Sequence, residues 1–131
     1  MTEKKVLSIG QCCADHSTIS NFLTKKFNAV TINADTSKEA FSLLNEKSFD
    51  LILVNRIFDT NGEAGLDFIV KFSNQGIIKT PIMLVSNFDE AQKNAINKGA
   101  KLGFGKAAIS AVETCSKLEE FLGKQTSQST T

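Results

Sequence analysis

The sequence predicts a doubly wound α/β domain, in which helices cover both faces of a parallel sheet. Two observations lead to this prediction. Short apolar runs of strand length alternate with longer segments that place apolar residues at helical spacing. The segments between successive apolar runs are also long enough for a helical crossover, which parallel strands require.

Five short runs are predicted to form the strands of the sheet. Most are rich in Val, Ile and Leu, and they are bounded by polar or glycine-containing segments. They occupy residues 6–9, 29–33, 50–55, 81–86 and 101–104. The run at 50–55 is apolar from Leu51 to Val54, which indicates a central strand that is buried on both faces and ends at Asn55.

Helices are predicted after each strand. The first is expected over residues 15–26 with Asp15 as its amino-terminal cap, and the third follows a polar loop at 56–63 that contains the turn pair Asn61-Gly62. Three helix starts have the form of a capping box, in which a side-chain oxygen and a carboxylate satisfy free backbone N–H groups. These starts lie at 36–39, 87–90 and 110–113. The residues of the last helix that are predicted to face the core are Val112, Cys115, Leu118 and Leu122.

Length and charge restrict the number of domains and the kinds of partner. With 131 residues, 41% of them hydrophobic, the chain is predicted to form one domain at 1–123, followed by a disordered polar tail at 124–131. The 15 basic and 14 acidic residues nearly cancel, which gives no argument for nucleic acid or a membrane as partner. Three cysteines without framework spacing and the lack of an evident signal peptide predict a cytoplasmic protein.

Taken in order, several segments make the chain similar to the receiver domains of bacterial two-component response regulators over roughly residues 4–122. The segments are 5–9, 49–55, 65–68, 80–86 and 99–100, with Lys106 after the last strand. The resemblance implies a flavodoxin-like (βα)5 fold. Five strand–helix units in this length also favour the flavodoxin-like strand order 2-1-3-4-5, which places a site between the carboxyl ends of strands 1 and 3.

The resemblance implies a set of site residues with clear chemical roles. An aspartate at the end of strand 3 accepts a phosphoryl group, and two acidic residues after strand 1 hold Mg²⁺, which neutralises the developing charge. A Ser or Thr after strand 4 and a Lys after strand 5 donate charge-assisted hydrogen bonds to the phosphoryl oxygens. An aromatic residue on strand 5 responds to phosphorylation.

Three of the expected negative charges are missing from this chain. Asn55 stands at the phosphoryl-acceptor position, and Gly10 and Gln11 stand at the positions of the acidic pair. A neutral amide has no anionic oxygen to attack phosphorus, so neither phosphorylation nor magnesium binding is expected. Ser86 and Lys106 do match their roles.

Strand 5 and the loop after strand 3 depart from the family as well. The aromatic position falls on Gly103, and Phe104, one residue later, is expected to point to the opposite face of the strand. Ala107 follows Lys106 where the family usually has Pro. The loop at 55–65 is about two residues longer than usual in the family.

Several residues near the predicted site have two interpretations. Asp15 and Asp59 could supply the missing carboxylates, but helix capping and solvent exposure are the simpler roles. Lys106 is predicted to be unpaired, because its acidic partners are replaced. Together with Ser86 and Asn55 it forms a candidate pocket for phosphate or sulfate.

Two sequence patterns are discounted. Gly103-x-Gly105-x-x-Ala108 fits a loose dinucleotide-binding pattern, but it follows the last strand instead of the first. Cys12 and Cys13 precede a helix, but adjacent cysteines are poorly placed to form a redox pair. His16 cannot complete a metal site with them on any usual spacing.

Three functional hypotheses follow. The leading one is a non-enzymatic, phosphorylation-independent receiver-like module that binds a signalling protein through the face formed by helix 4, strand 5 and helix 5. For this module, a second copy of the chain in a weak homodimer is considered as a partner as well. The second hypothesis is a receiver that is phosphorylated on a displaced carboxylate such as Asp59. The third is a flavodoxin-like binder of a small ligand, which the absence of Trp and Tyr weakens.

Five exposed side chains are candidates for protein contacts under the leading hypothesis. Lys93, Lys98 and Lys101 are expected on the face formed by helix 4, strand 5 and helix 5. Phe58 and Phe88 lie in loops at the site edge and are candidate apolar anchors. The sequence leaves open which partner binds and whether another domain follows residue 131.

Overall fold

The chain folds into one parallel sheet with helices on both faces. The computed structural model describes residues 3–124, so the predicted tail lies outside the described residues except for Lys124. The strands are β1 (Lys4–Ile9), β2 (Ala29–Ala34), β3 (Leu51–Asn55), β4 (Ile82–Val85) and β5 (Lys101–Phe104). The helices are α1 (Cys13–Phe27), α2 (Ser37–Glu46), α3 (Gly65–Gln75), α4 (Asp89–Asn97) and α5 (Val112–Leu122), with a 3-10 helix at Lys106–Ala108. The sheet order is β2-β1-β3-β4-β5, which confirms the predicted fold and strand order.

Each face of the sheet has its own apolar cluster, because successive side chains of a strand point to opposite faces. Ile52 and Val54 of β3 join the cluster covered by α2, α3 and α4. Leu51 and Leu53 join the cluster covered by α1 and α5. Strand β3 is therefore buried along its whole length, as predicted. Within residues 3–124, no helix combines the length and the apolarity that a membrane crossing requires.

Helix α2 begins with the predicted side-chain cap. The Thr36 hydroxyl accepts the Glu39 N–H at 3.2 Å, as a capping box requires. The Glu39 carboxylate accepts the N–H of Asp35 at 2.8 Å, one residue before the position that the motif predicts. Both ends of the predicted box therefore satisfy backbone N–H groups at the start of the helix.

The capping boxes predicted at 87–90 and 110–113 do not form, although a helix begins within each of these segments. Phe88 caps α4 and Ala111 caps α5, and neither forms a side-chain cap bond. In the turns before these helices, the N–H groups of the cap residues already have partners. The Phe88 N–H donates to the Ser86 hydroxyl, and the Ala111 N–H donates to the Ala108 carbonyl. Val112 is also wrong as a core residue, because it is the first residue of α5 and is 79% exposed. The other three predicted core residues of α5 are buried: Cys115, Leu118 and Leu122.

The pairing of β4 with β5 contains a bulge. Met83 pairs with Lys101 and Val85 pairs with Phe104, so β5 has one more residue than β4 between the two pairs. Phe104 packs in the cluster under α1 and α5. A Cβ atom at Gly103 would contact the Leu84 carbonyl oxygen, so the chain at this position has no room for a side chain.

A buried side chain of α4 joins the two strands at this bulge. The amide nitrogen of Gln92 donates to the carbonyls of Leu84 at 2.8 Å and Ser86 at 3.1 Å. Its amide oxygen accepts the Gly103 N–H at 2.9 Å. The ammonium of Lys117, on α5, donates to the Gly103 carbonyl at 3.0 Å. Side chains from both flanking helices therefore hold the backbone of β5 at one residue.

Gln92→Met keeps the length of the side chain but removes its amide. We expect this change to lower the free energy of unfolding by about 2–4 kcal/mol, because two carbonyls and one N–H each lose a hydrogen bond. Urea unfolding of the wild type, Gln92→Met and Lys93→Met measures the effect, with Lys93 as the exposed control on the same helix. Equal losses in the two variants would contradict the role of the amide.

Candidate functional site

A pocket of about 300 Å³ opens at the carboxyl ends of β3 and β4. Its wall includes three residues that the sequence pattern identifies, Asn55, Ser86 and Lys106. Each follows or ends a different parallel strand, and these strand ends meet at the same edge of the sheet. The wall also contains five residues that the family pattern did not assign to the pocket: Arg56, Ile57, Val85, Asn87 and Phe88.

The side chain of Asn55 acts as a double hydrogen-bond donor. It is buried, and its amide nitrogen lies 2.9 Å from the Gly10 carbonyl and 2.7 Å from the Ile57 carbonyl. Both partners can only accept, so this arrangement requires an NH₂ group and cannot be made by a carboxylate. Asn55 thus ties the residue after β1 and the loop after β3 to the end of the central strand.

The aromatic ring of Phe58 fills the space beside Gly10. Gly10 has a φ of 78°, and a Cβ atom placed on it would lie 2.6 Å from Cγ of Phe58. Phe58 is only 1% exposed, so its prediction as an exposed anchor is wrong. The ring is buried because the glycine leaves an apolar volume that it can occupy. A carboxylate at position 10 would therefore collide with the ring.

Hydrogen bonds within the loop that carries Phe58, and from this loop to Gly10 and Ser37, hold it in place. The Phe58 N–H donates to the Glu63 carbonyl at 2.8 Å, and the Asp59 N–H donates to the Gly10 carbonyl at 2.9 Å. The Glu63 carboxylate accepts the Ser37 hydroxyl at 2.7 Å and the Ser37 N–H at 3.1 Å, at the start of α2. The Ser37 hydroxyl lowers the pKa of Glu63. These contacts fix the position of the ring.

Lys106 forms an ion pair with Asp15 across the site edge. The Lys106 ammonium lies 2.6 Å from the Asp15 carboxylate, and the two side chains are 37% and 33% exposed. Two predictions are corrected here. Cys12, whose sulfur accepts the Asp15 N–H, is the cap of α1, and Lys106 is not unpaired. Asp15 lies in the first turn of a helix that begins at the same sheet edge, which explains how it reaches Lys106.

The residues at this edge do not fit a magnesium ion. Gly10 has no side chain, and the Asn55 amide nitrogen faces two carbonyls. Gln11 is buried, and neither polar atom of its amide has a hydrogen-bond partner among the described residues. Within residues 3–124, no group of three or more His, Cys, Asp or Glu side chains is placed to hold a metal ion. Hard anionic oxygen ligands are therefore not gathered here.

Solved receiver domains are similar to this chain in structure. A two-component response regulator of Clostridium difficile has a TM-score of 0.74 and 20% identity, with 92% of this chain and 96% of that chain covered. The BeF3-activated receiver domain of RstA from Klebsiella pneumoniae has a TM-score of 0.75 and 18% identity, with coverages of 91% and 98%. The chemotaxis protein CheY4 of Vibrio cholerae has a TM-score of 0.71 and 19% identity, with coverages of 92% and 100%.

The chain has the receiver-domain fold. At these identities the likeness concerns the fold alone. No protein-family model and no curated protein sequence matches the chain. What the receiver fold does in this protein must therefore be argued from its own site residues.

Asp15→Asn is expected to lower the free energy of unfolding by less than about 1 kcal/mol at neutral pH, because water screens a pair that is a third exposed. The hydrogen bond from Lys106 lowers the folded-state pKa of Asp15, although burial opposes it. The contribution is thus present above the unfolded-state pKa of about 4 and is lost as the pH falls through the folded-state value. Urea unfolding of the wild type and Asp15→Asn at about pH 7 and pH 3 tests this.

Asp59→Asn serves as the control for this comparison, because Asp59 is exposed and lies in the loop between β3 and α3, near the same edge of the sheet. The stability difference between the wild type and Asp15→Asn should shrink on acidification. A difference that grows at the lower pH would contradict the ion pair.

Asn55→Asp is expected to lower the free energy of unfolding by about 2–4 kcal/mol at neutral pH, because a carboxylate oxygen would face two carbonyl oxygens. This environment raises the folded-state pKa of the new carboxyl group, so the loss should diminish as the pH falls and the group is protonated. Thermal unfolding between about pH 7 and pH 4 measures both effects. Asn94→Asp, at an exposed position on α4, is the control and should change stability little. Equal stability of the two variants would rule out the double-donor role.

Proposed function

We propose that this chain is a receiver-like signalling domain that acts by binding protein and does not accept a phosphoryl group. The observation that carries the proposal is the orientation of the Asn55 amide, which donates to the Gly10 and Ile57 carbonyls. The side chain at the acceptor position thus has a structural role that a nucleophilic carboxylate could not perform. The proposal places the domain in two-component signalling in the cytoplasm, as a non-enzymatic module.

The surroundings of Asn55 support the same proposal. The ring of Phe58 fills the space beside Gly10 where one of the two acidic ligands would stand. The ammonium of Lys106 is already bound to Asp15, so its charge is compensated before any phosphoryl group arrives. Neither magnesium binding nor phosphoryl transfer is therefore expected of this domain.

The face formed by α4, β5 and α5 is the proposed contact surface for a signalling partner. The bonds of Gln92 and Lys117 to Gly103 hold β5 to both helices of this face. Lys93, Lys98 and Lys101 are exposed, as are Leu102 at the strand and Val112 at the helix start. A face held in this way offers a fixed shape to a partner, and a weak homodimer is the alternative occupant.

Phosphorylation of a displaced carboxylate is the competing hypothesis. Asp59 is exposed, and its N–H donates to the Gly10 carbonyl, which places its backbone beside the end of β1. Binding of a small flavin-like ligand is not proposed, because Phe88 is the one aromatic residue among the described residues that line the pocket.

Incubation with Mg²⁺ and acetyl phosphate should leave the intact mass of the wild type and of Asn55→Asp unchanged. A receiver domain that is known to be phosphorylated serves as the positive control. An adduct on the wild type that is absent from Asp59→Asn would establish the competing hypothesis. An adduct on Asn55→Asp alone would show that the amide by itself prevents phosphorylation, against the argument from Phe58 and Lys106.

A further inference from the structure

We propose that the pocket beside Arg56 binds a segment of a partner protein in which a carboxylate side chain is flanked by apolar residues. This inference rests on the proposed function, since it gives the chemistry of a partner segment. It concerns the edge of the sheet where β3 and β4 end, and it does not involve the face formed by α4, β5 and α5.

The guanidinium of Arg56 stacks on an aromatic ring and has no counter-ion in the part of the chain that the structure describes. The guanidinium carbon of Arg56 lies 5.0 Å from the centroid of the Phe88 ring. Within residues 3–124, no Asp or Glu oxygen lies within salt-bridge distance of this guanidinium. Stacking on the ring limits the orientations of the guanidinium, while its N–H donors remain available for a carboxylate.

The charge of the pocket favours an anionic group. None of the described residues that line it is acidic, and its second cation, Lys106, is already bound to Asp15. The Ser86 hydroxyl accepts the Phe88 N–H, which leaves its own proton available to a ligand. The exposed Asp89 and Glu90 of α4 do not line this pocket. Arg56 is thus the uncompensated charge, and a carboxylate is its natural bidentate partner.

Apolar surface lies on both sides of Arg56. Phe88 is 58% exposed and Ile57 is 42% exposed, and both line the pocket. A second hollow of about 180 Å³ adjoins Arg56 and Ile57, and its wall includes Leu66 and Ala91. Exposed apolar side chains of this size around a cation are typical of a protein contact and are not needed to hold a free inorganic anion. The occupant that fits is therefore an apolar segment with one acidic side chain.

Two synthetic peptides that differ in one side-chain group test this inference. Acetyl-Leu-Glu-Leu-amide and acetyl-Leu-Gln-Leu-amide are titrated into ¹⁵N-labelled protein, and amide chemical shifts are followed. The glutamate peptide should shift the signals of Arg56, Ile57 and Ser86. We expect the glutamine peptide to bind at least about 10-fold more weakly, because it lacks the charge that Arg56 pairs with.

The variants Arg56→Gln and Phe88→Ala should weaken binding of the glutamate peptide. The exposed control Lys38→Gln should not, because Lys38 lies on α2, outside the pocket. Equal binding of the two peptides, no shifts up to about 10 mM peptide, or shifts confined to β5 and α5 would overturn the inference. Equal shifts with inorganic phosphate alone would also overturn it, because the site would then be a simple anion site.

The outcomes separate this inference from the proposed function. Failure of the glutamate peptide together with an unchanged intact mass after acetyl phosphate treatment ends the inference and leaves the proposed function standing. A phosphoryl adduct on a protein that still binds the glutamate peptide through Arg56 ends the proposed function alone.

Discussion

The two hydrogen bonds from the Asn55 amide organise the functional edge of this receiver fold. They join β3 to the Gly10 carbonyl, 45 residues earlier in the chain, and to the Ile57 carbonyl at the start of the following loop. The Gly10 carbonyl accepts the Asp59 N–H as well, so it holds both β3 and the following loop. Loss of the amide would remove a hydrogen bond from each of the two carbonyls, which is costly for buried polar groups. The amide therefore stabilises the path of the chain where β3 ends.

The loop after β3 depends on this arrangement and extends it. Once the chain leaves Asn55 toward Ile57, the backbone bonds of the loop direct Phe58 against Gly10. At the carboxyl end of the loop, the Glu63 carboxylate accepts two hydrogen bonds from Ser37 at the start of α2. An apolar ring therefore lies at the centre of this edge, and the polar contacts of the loop lie at its periphery.

The sequence was sufficient to predict the fold and the residues at the strand ends. Short apolar runs separated by crossover-length segments determine the sheet, and Asn55, Ser86 and Lys106 are placed by their position directly after such runs. The end of a parallel strand is fixed by local pattern and topology. These residues could therefore be assigned to one pocket without knowledge of side-chain packing.

The side-chain contacts at the site could not be predicted from the positions of the strand ends. The pair of Asp15 with Lys106 joins residues 91 positions apart, and the burial of Phe58 depends on the missing side chain of Gly10. Arg56 is exposed, so no periodic pattern identifies it, and its stacking on Phe88 joins two separate loops. The capping boxes predicted at 87–90 and 110–113 do not form, because nearby turns compete for the same backbone groups.

The contact between Phe58 and Gly10 makes the order of substitutions important for anyone who redesigns this edge. A carboxylate introduced at position 10 first must displace a packed ring and adopt a left-handed backbone conformation. Removal of the ring first leaves an empty apolar volume, which also destabilises the domain. The two changes are therefore tolerated better together than singly, so the effect of each substitution on stability depends on whether the other is already present.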